Sequence, residues 1–248
     1  MSLTQKGAHG QVSTTTEYTI ADQERMRAAQ RYFEWQARLA KAELGRRVLE
    51  VGCGMGNFSD HLRDRDLVVG IDVDENCVER WKERFSNRAH YSGFLLNAEN
   101  PEFCQLKRYE PDSVVCLNVL EHIDRHDLVL KHMWNVLPAG GRVVLMVPAF
   151  ESLYGEIDAR LGHYRRYTRR SLSAVAEGAG FRLRRLRYMN VVGFFGWWAN
   201  AKIFKRSEQS AEQIAFFDSY VVPIQSRLES WISPPFGQSI IATLEKRG

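Results

Sequence analysis

The chain has 248 residues, of which 44% are hydrophobic and 26% charged, with a mild formal net charge of +4. That length holds one substantial core, or a core with a large insertion. No apolar run reaches transmembrane length, no secretory signal is visible, and Cys53, Cys77, Cys104 and Cys116 form neither a C-x-x-C pair nor a disulfide framework. A membrane-spanning protein and a disulfide scaffold are therefore excluded, and a reducing, cytoplasmic setting is expected.

Residues 1–18 are polar and rich in Gly, Ser and Thr, the composition of a flexible N-terminus. One domain is expected over 19–248. Asp22 is placed to cap a helix over 23–43, in which Met26, Ala29, Phe33, Gln36 and Ala40 recur at three-to-four spacing. That helix either only packs on the domain or also covers a ligand site with Tyr32 or Trp35. Next comes Val48-Leu49-Glu50-Val51-Gly52-Cys53-Gly54-Met55-Gly56-Asn57-Phe58, an apolar run, three alternating glycines and a helix-like stretch to residue 65. Strand, glycine turn and helix in that order make a nucleotide-type site at the C-terminal edge of a parallel sheet. The glycines alone suit either NAD or S-adenosylmethionine, but the dinucleotide pattern is G-x-G-x-x-G and here the spacing is G-x-G-x-G.

A second apolar run, 67–71, ends at Asp72, where a carboxylate either accepts from both hydroxyls of an adenosine ribose or caps the next helix, 75–85. A weak third strand, 90–94, is followed by Asn97-Ala98, and a fourth, 112–117, by Asn118-Val119-Leu120-Glu121-His122-Ile123. A helix over 127–137, the turn Pro138-Ala139-Gly140-Gly141 and a fifth strand ending at Pro148 continue the alternation. Thr168 is placed to cap a helix over 171–178, and 181–188 is a sixth strand with Arg182, Arg184 and Arg187 at outward positions. Residues 189–237 are aromatic and helical in pattern and form a cap before a last strand, 239–244. The order predicts an α/β, Rossmann-like doubly wound sheet of seven strands, the last antiparallel, with an N-terminal helix and a helical cap between strands six and seven.

From about residue 32 onward the chain resembles class I S-adenosylmethionine-dependent methyltransferases. The resemblance rests on Glu50-Val51-Gly52-Cys53-Gly54-Met55-Gly56, Asp72, Asn97-Ala98, Asn118 to Ile123 and Leu137 to Gly141. The second half is similar to a bacterial group associated with glycosyltransferases, through Leu153-Tyr154-Gly155, Asp158, Gly162-His163-Tyr164-Arg165-Arg166-Tyr167-Thr168, Trp197-Trp198 and Pro235 to Ser239. The resemblance implies S-adenosylmethionine as cofactor. Gly52, Gly54 and Gly56 would flank its methionine part, with Glu50 ordering the loop. Asp72 would hold the ribose, Asn97 and Ala98 the adenine, and Asn118 would lie below the methyl-donor end. Asn97 stands where Asp is usual, and its carbonyl can still accept from an amine. Some quinone-pathway methyltransferases carry Glu-x-x-Glu-His after the fourth strand and bind a divalent metal. Asn118 replaces the first Glu here and a hard cation favours carboxylates, so no metal is expected.

Methyl transfer from a sulfonium needs alignment and, for an alcohol acceptor, a base. His122 and His163 are the two candidates, each with a plain alternative as a structural brace. Tyr154, Arg165, Arg166 and Tyr167 are candidate acceptor contacts. Planar guanidinium groups suit phosphate or carboxylate, which favours an anionic, small or glycan-type acceptor and O-methylation. Residues 194–206 combine aromatic and basic side chains; they either touch a membrane surface peripherally or form a buried cap helix. Nucleic acid is not an expected partner, because no binding motif or separate basic domain is present. An RNA or protein methyltransferase and a non-catalytic cofactor-binding protein are the competing readings.

Overall fold

The computed structural model describes residues 29–200, 202 and 211–247. The expected flexible stretch 1–18 and the cap residue Asp22 lie outside the described residues. Seven strands form one sheet, β1 (Arg47–Val51), β2 (Leu67–Asp72), β3 (Tyr91–Leu95), β4 (Ser113–Leu117), β5 (Arg142–Pro148), β6 (Phe181–Met189) and β7 (Ser239–Lys246), in the order β3-β2-β1-β4-β5-β7-β6. β1 pairs in parallel with both β2 and β4, so chain direction across the sheet reverses order there, and β7 runs antiparallel to β5 and β6. The switch between β1 and β4 opens a crevice at the strands' C-terminal ends, where ligands of such sheets bind.

The strands are nearly continuous apolar runs because both faces are covered. One core lies under α3 (His126–Val136) and α5 (Arg169–Gly178), with Phe103, Leu130, Met133 and Leu172. The other lies under α1 (Gln30–Lys41) and α2 (Glu75–Arg84), with Trp35, Ala40, Leu62 and Trp81. The short α4 (Glu156–Arg160) sits in the loop after β5. Helix caps follow the local sequence at several starts. Asp74 accepts from Cys77 N, and Thr168 accepts from Ser171 N.

The cap between β6 and β7 consists of α6 (Val191–Ala199), α7 (Ala211–Phe216) and α8 (Val222–Trp231), with a π-helical stretch joining the last two. It is tied to the sheet. The Asp218 carboxylate accepts from Tyr32 N at 2.8 Å and Arg31 N at 3.3 Å, closing the start of α1 from across the fold. Glu229 accepts from Asn190 N and Val191 N at 3.1 and 3.0 Å.

Three local expectations are corrected. The helix expected up to residue 65 is only the 3-10 turn Ser59–Leu62, because the Ser59 side chain is drawn in to Glu50 and Trp81. A 3-10 stretch, Pro101–Tyr109, joins β3 to β4 where no element was expected. Arg187 does not point outward with Arg182 and Arg184. Past a bulge between Leu183 and Arg185, Arg187 shares a face with Arg182, but there the cap helix covers the sheet, so Arg182 and Arg184 pair with Glu245 while Arg187 is buried and donates to the Glu229 carbonyl at 2.5 Å.

Candidate active site

The glycine turn follows β1 directly. Gly52, Gly54 and Gly56 all have positive φ, 75°, 48° and 84°. At Gly52 the constraint is double, since a Cβ there would lie 2.2 Å from Val119 Cγ2. Val119 thus seats the turn against the segment that follows β4. Asp72, at the end of β2, accepts from Gly54 N at 2.8 Å through one carboxylate oxygen and from Asp74 N at 3.1 Å through the other. Desolvation raises its pKa, against the hydrogen bonds from Asp74 and Gly54. The capping role expected as its alternative falls to Asp74 instead; Asp72 ties down the turn and still carries lone pairs at the crevice.

Glu50 is buried and accepts from the Ser59 hydroxyl, which accepts in turn from Trp81 Nε1 at 2.7 Å. This chain fixes the turn to α2, the loop-ordering role expected of Glu50. Burial pushes its carboxyl up to about 8 from an ordinary 4.5, only partly offset by the Ser59 hydrogen bond. The folded chain then keeps a proton on Glu50 that the unfolded chain releases, so its contribution to stability is lost as pH rises through that range. Glu50→Gln keeps an acceptor for Ser59 without a charge. Its Tm advantage over the parent is expected to widen between about pH 5 and about pH 8 and then level off; a gap independent of pH in thermal melts would contradict the assignment.

Two further strand ends, those of β3 and β4, lie on the same edge of the sheet. Asn97 is exposed after β3, and its side-chain carbonyl accepts from Glu99 N at 2.8 Å, keeping one lone pair and both amide donors for a ligand. Ala98 is buried in the core with its carbonyl 2.9 Å from His132 Nδ1, so only its backbone lies near the rim. Asn118 is exposed at the end of β4 with φ 54°, a left-handed residue that turns the chain away from the strand. The open turn, the carboxylate and the two asparagines on consecutive strand ends fit the expected nucleoside cofactor. On the α1 side, Phe33 and Glu34, rather than Tyr32 or Trp35, line a cleft of about 320 Å³ with Asn57, Asp60, His61 and Arg84. Trp35 is in the core, and the Tyr32 hydroxyl has Gln36, Asn190 and Ser239 as partners.

Beyond β4 the chain brings together residues far apart in sequence. Tyr164 N donates to the Glu121 carbonyl at 2.8 Å, docking the 162–168 loop onto the 3-10 turn Leu120–His122. The His122 and His163 rings meet edge to face with centroids 4.6 Å apart. Behind them lies Asp158, fully buried, with four donors around it. These are His163 Nδ1 at 2.8 Å, Arg166 Nε at 2.8 Å, Gly155 N at 3.0 Å and Trp197 Nε1 at 3.3 Å. Burial by itself would raise its pKa, but the hydrogen bond from His163 and the charge and hydrogen bond of Arg166 outweigh it and hold Asp158 below the usual carboxylate range. Crowding by surrounding protein, then the neighbouring His163, pushes His122 down to about 4, although its outer edge meets solvent. His122 is neutral at pH 7 and can accept a proton or a cation. Desolvation pushes Glu121 up to about 7.

The expected acceptor contacts divide. Arg166 is 4% exposed, pairs with Asp158, donates to the Ala149 carbonyl at 3.1 Å and lies over the Trp197 ring. Tyr167 is 1% exposed, its hydroxyl 2.7 Å from His126 Nδ1 and 3.3 Å from the Leu120 carbonyl. Tyr154 donates to the His163 carbonyl at 2.7 Å. These three brace the loop from within, because a loop anchored by the Ala149–Tyr167 bridge must satisfy its buried polar groups internally. Arg165 stays half-buried at the rim and holds the Ile123 and Asp124 carbonyls at 3.0 Å. Tyr164, not singled out beforehand, presents an exposed ring beside it. By sequence Asp158 stood out only as one of the residues of the resemblance; a lone acid on a short helix carries no local sign that four donors converge on it.

Comparison with known proteins agrees with this geometry. A family model described as a methyltransferase domain matches residues 23–186. A Mycolicibacterium smegmatis protein named a "probable S-adenosylmethionine-dependent methyltransferase" is 30% identical over 147 residues, 58% of this chain and 55% of that protein. A Coxiella burnetii ubiquinone biosynthesis O-methyltransferase is 27% identical over 116 residues, 46% of each. The chain spans about half the length of these curated relatives. Among solved structures, the N-methyltransferase NodS of Bradyrhizobium japonicum in complex with S-adenosyl-L-homocysteine shares the fold with a TM-score of 0.54 at 16% identity, covering 91% of this chain and 88% of that one. The family match covers most of the chain and includes the glycine turn, Asp72 and the paired histidines, and the chain belongs to the methyltransferase-domain family, of the class I, S-adenosylmethionine-dependent kind.

Proposed function

We propose that the chain transfers a methyl group to an oxygen of a small or glycan-type, anionic acceptor. The observation that carries this reading is the Asp158–His163 pair beside His122, on the segment that Val119 holds against the glycine turn. S-adenosylmethionine supplies a methyl on a sulfonium that departs as a neutral thioether. What an oxygen nucleophile needs from the protein is orientation and loss of its proton. Asp158 accepts the Nδ1 proton of His163, which fixes the tautomer and leaves Nε2 as the acceptor of a hydroxyl proton. Gly52, Gly54, Gly56, Glu50, Asp72, Asn97 and Asn118 hold the cofactor side. The Arg165 guanidinium at the rim, now held by the exposed Asp124 carboxylate at 3.3 Å, supports an acceptor whose anion takes that place, and the named activity of the Coxiella relative supports oxygen as the methylated atom. The GHYRRYT loop supports an acceptor of the sugar-linked kind.

Of the two expected readings of the 194–206 segment, the fully buried cap helix is not met, since no residue of Val191–Ala199 is buried. Phe194 packs on Phe150 and Phe236, while Phe195 and Trp198 are 56% and 45% exposed next to an exposed Lys202. That outward pair supports peripheral membrane contact through 194–206, of which 201 and 203–206 lie outside the described residues. Among the described residues no helix is long and apolar enough to cross a membrane.

The test is a screen of nucleotide-linked sugars, lipid-linked sugars and sugar acids with S-adenosylmethionine, with the methylated atom located by NMR. An O-methyl product is expected. Arg165→Ala is expected to raise KM for the anionic acceptor about tenfold, the worth of one charge-assisted hydrogen bond, with cofactor affinity unchanged. Methylation of nitrogen, RNA or protein instead, or equal loss of cofactor affinity in the variant, would overturn the reading.

A further inference from the structure

We propose that Glu121, His122 and His163 bind one divalent cation of the zinc type. One potential ligand atom from each of these residues lies within 4.8 Å of the others. The set is two imidazole nitrogens and one carboxylate oxygen, the three-ligand composition of an open zinc site, and it is poor in the oxygens that magnesium or calcium require. Two further observations point to a ligand. Glu121 Oε2 is buried and has no hydrogen-bond partner, an acceptor left without a donor. Each histidine also has an acceptor behind it, the Asp158 carboxylate at 2.8 Å from His163 Nδ1 and the Leu161 backbone for His122. Metal-ligating histidines carry such partners on the nitrogen that faces away from the ion, which sets the tautomer and aims the other lone pair. With Nδ1 of His163 committed to Asp158, Nε2 is the nitrogen left for an ion; it is the nitrogen that accepts the hydroxyl proton in the metal-free chain, and with the ion bound that proton passes to solvent from a hydroxyl at the ion's open position instead. The exposed edge of His122 keeps a coordination position open to a further ligand.

This departs from the expectation of no metal drawn from Asn118. That expectation concerned a hard cation and ligands adjacent in sequence, whereas the third ligand here arrives on the 162–168 loop. As to its use, the site rests on the oxygen-acceptor reading, because a cation with an open position lowers the pKa of a hydroxyl bound there, as an oxygen nucleophile requires.

The experiment strips the whole chain with a chelator, removes the chelator and titrates zinc ion by calorimetry, with metal content counted by plasma mass spectrometry and cobalt(II) substitution followed by its visible absorption. One zinc per chain is expected. Affinity is expected to fall about 100-fold in Glu121→Gln and His163→Gln and about tenfold in Asp158→Asn, and the cobalt bands are expected to weaken in the same variants. Circular dichroism and S-adenosylhomocysteine binding confirm that the variants are folded. Substoichiometric zinc in the parent chain, or zinc affinity unchanged in folded Glu121→Gln and His163→Gln, would overturn the site. Zinc binding is read without any acceptor, so its loss leaves the O-methylation reading standing, and a bound zinc in a chain that methylates only nitrogen overturns that reading and not the site.

Discussion

Asp158→Ala is expected to destabilise the chain by about 3–5 kcal/mol, the cost of breaking one side of a buried ion pair. For a chain of this size that is a fall of roughly 10 °C in Tm. The reason is Arg166, whose guanidinium is as buried as its partner and would lose its ion-pair partner, keeping the Ala149 carbonyl and the Trp197 ring beside it with Glu121 and Glu151 acting on it through space. Desolvation already presses the Arg166 pKa downward against the pull of Asp158. Replacing both members by apolar residues, as in Asp158→Leu with Arg166→Met, is expected to recover much of the loss, because neither charge is then buried alone. Thermal denaturation followed by circular dichroism measures both. A drop under about 1 kcal/mol for the single change would mean that the network is solvated and that Asp158 is not the anchor of the loop.

The second large effect is on rate. His163→Ala is expected to lower kcat about 100-fold or more, the usual contribution of a positioned proton acceptor, with S-adenosylhomocysteine affinity unchanged. His122→Ala is expected to lose less, since its neighbour retains the Asp158 partner. The distinction from a bracing role lies in the split between constants. His163 also holds the Tyr154 hydroxyl through its backbone, which alanine preserves, so loosening of the loop is not the expected consequence. An unchanged kcat in the folded variant would remove His163 from the chemistry.

Much of the fold was legible because its signals are local. The apolar runs that become β1, β2, β4 and β5 are uninterrupted, and each is followed by its turn or helix start at short range. The placement of the proposed cofactor residues was legible for the same reason, since Gly52, Gly54, Gly56, Asp72 and Asn118 sit at strand ends, whose place the topology dictates. The acceptor side was not. Whether Arg165 or Arg166 faces the rim depends on a loop held by Asp158 and the Ala149–Tyr167 bridge, and adjacent arginines in one motif look alike until that loop closes. The burial of Arg187 depends on the cap helix that brings Glu229 over its end of the strand, from 42 residues further along the chain. The cap on α1 comes from Asp218, nearly the whole fold away in sequence, so no search before the helix finds it. Glu121, His122 and His163 became a cluster only when the 162–168 loop was laid on the end of β4.

The account rests most heavily on the cofactor site, and calorimetric titration of the purified chain with S-adenosylmethionine, S-adenosylhomocysteine and NAD tests it most directly, with Asp72→Ala beside the parent. The expected result is one site for each of the first two ligands and none for NAD. Asp72→Ala, which removes the ribose acceptor and frees Gly54 N, is expected to weaken both about 100-fold, the worth of one or two charge-assisted hydrogen bonds, with the melting curve still cooperative. Binding of NAD instead, or affinity for S-adenosylmethionine indifferent to Asp72, would contradict the placement of the cofactor and the acceptor chemistry built beside it.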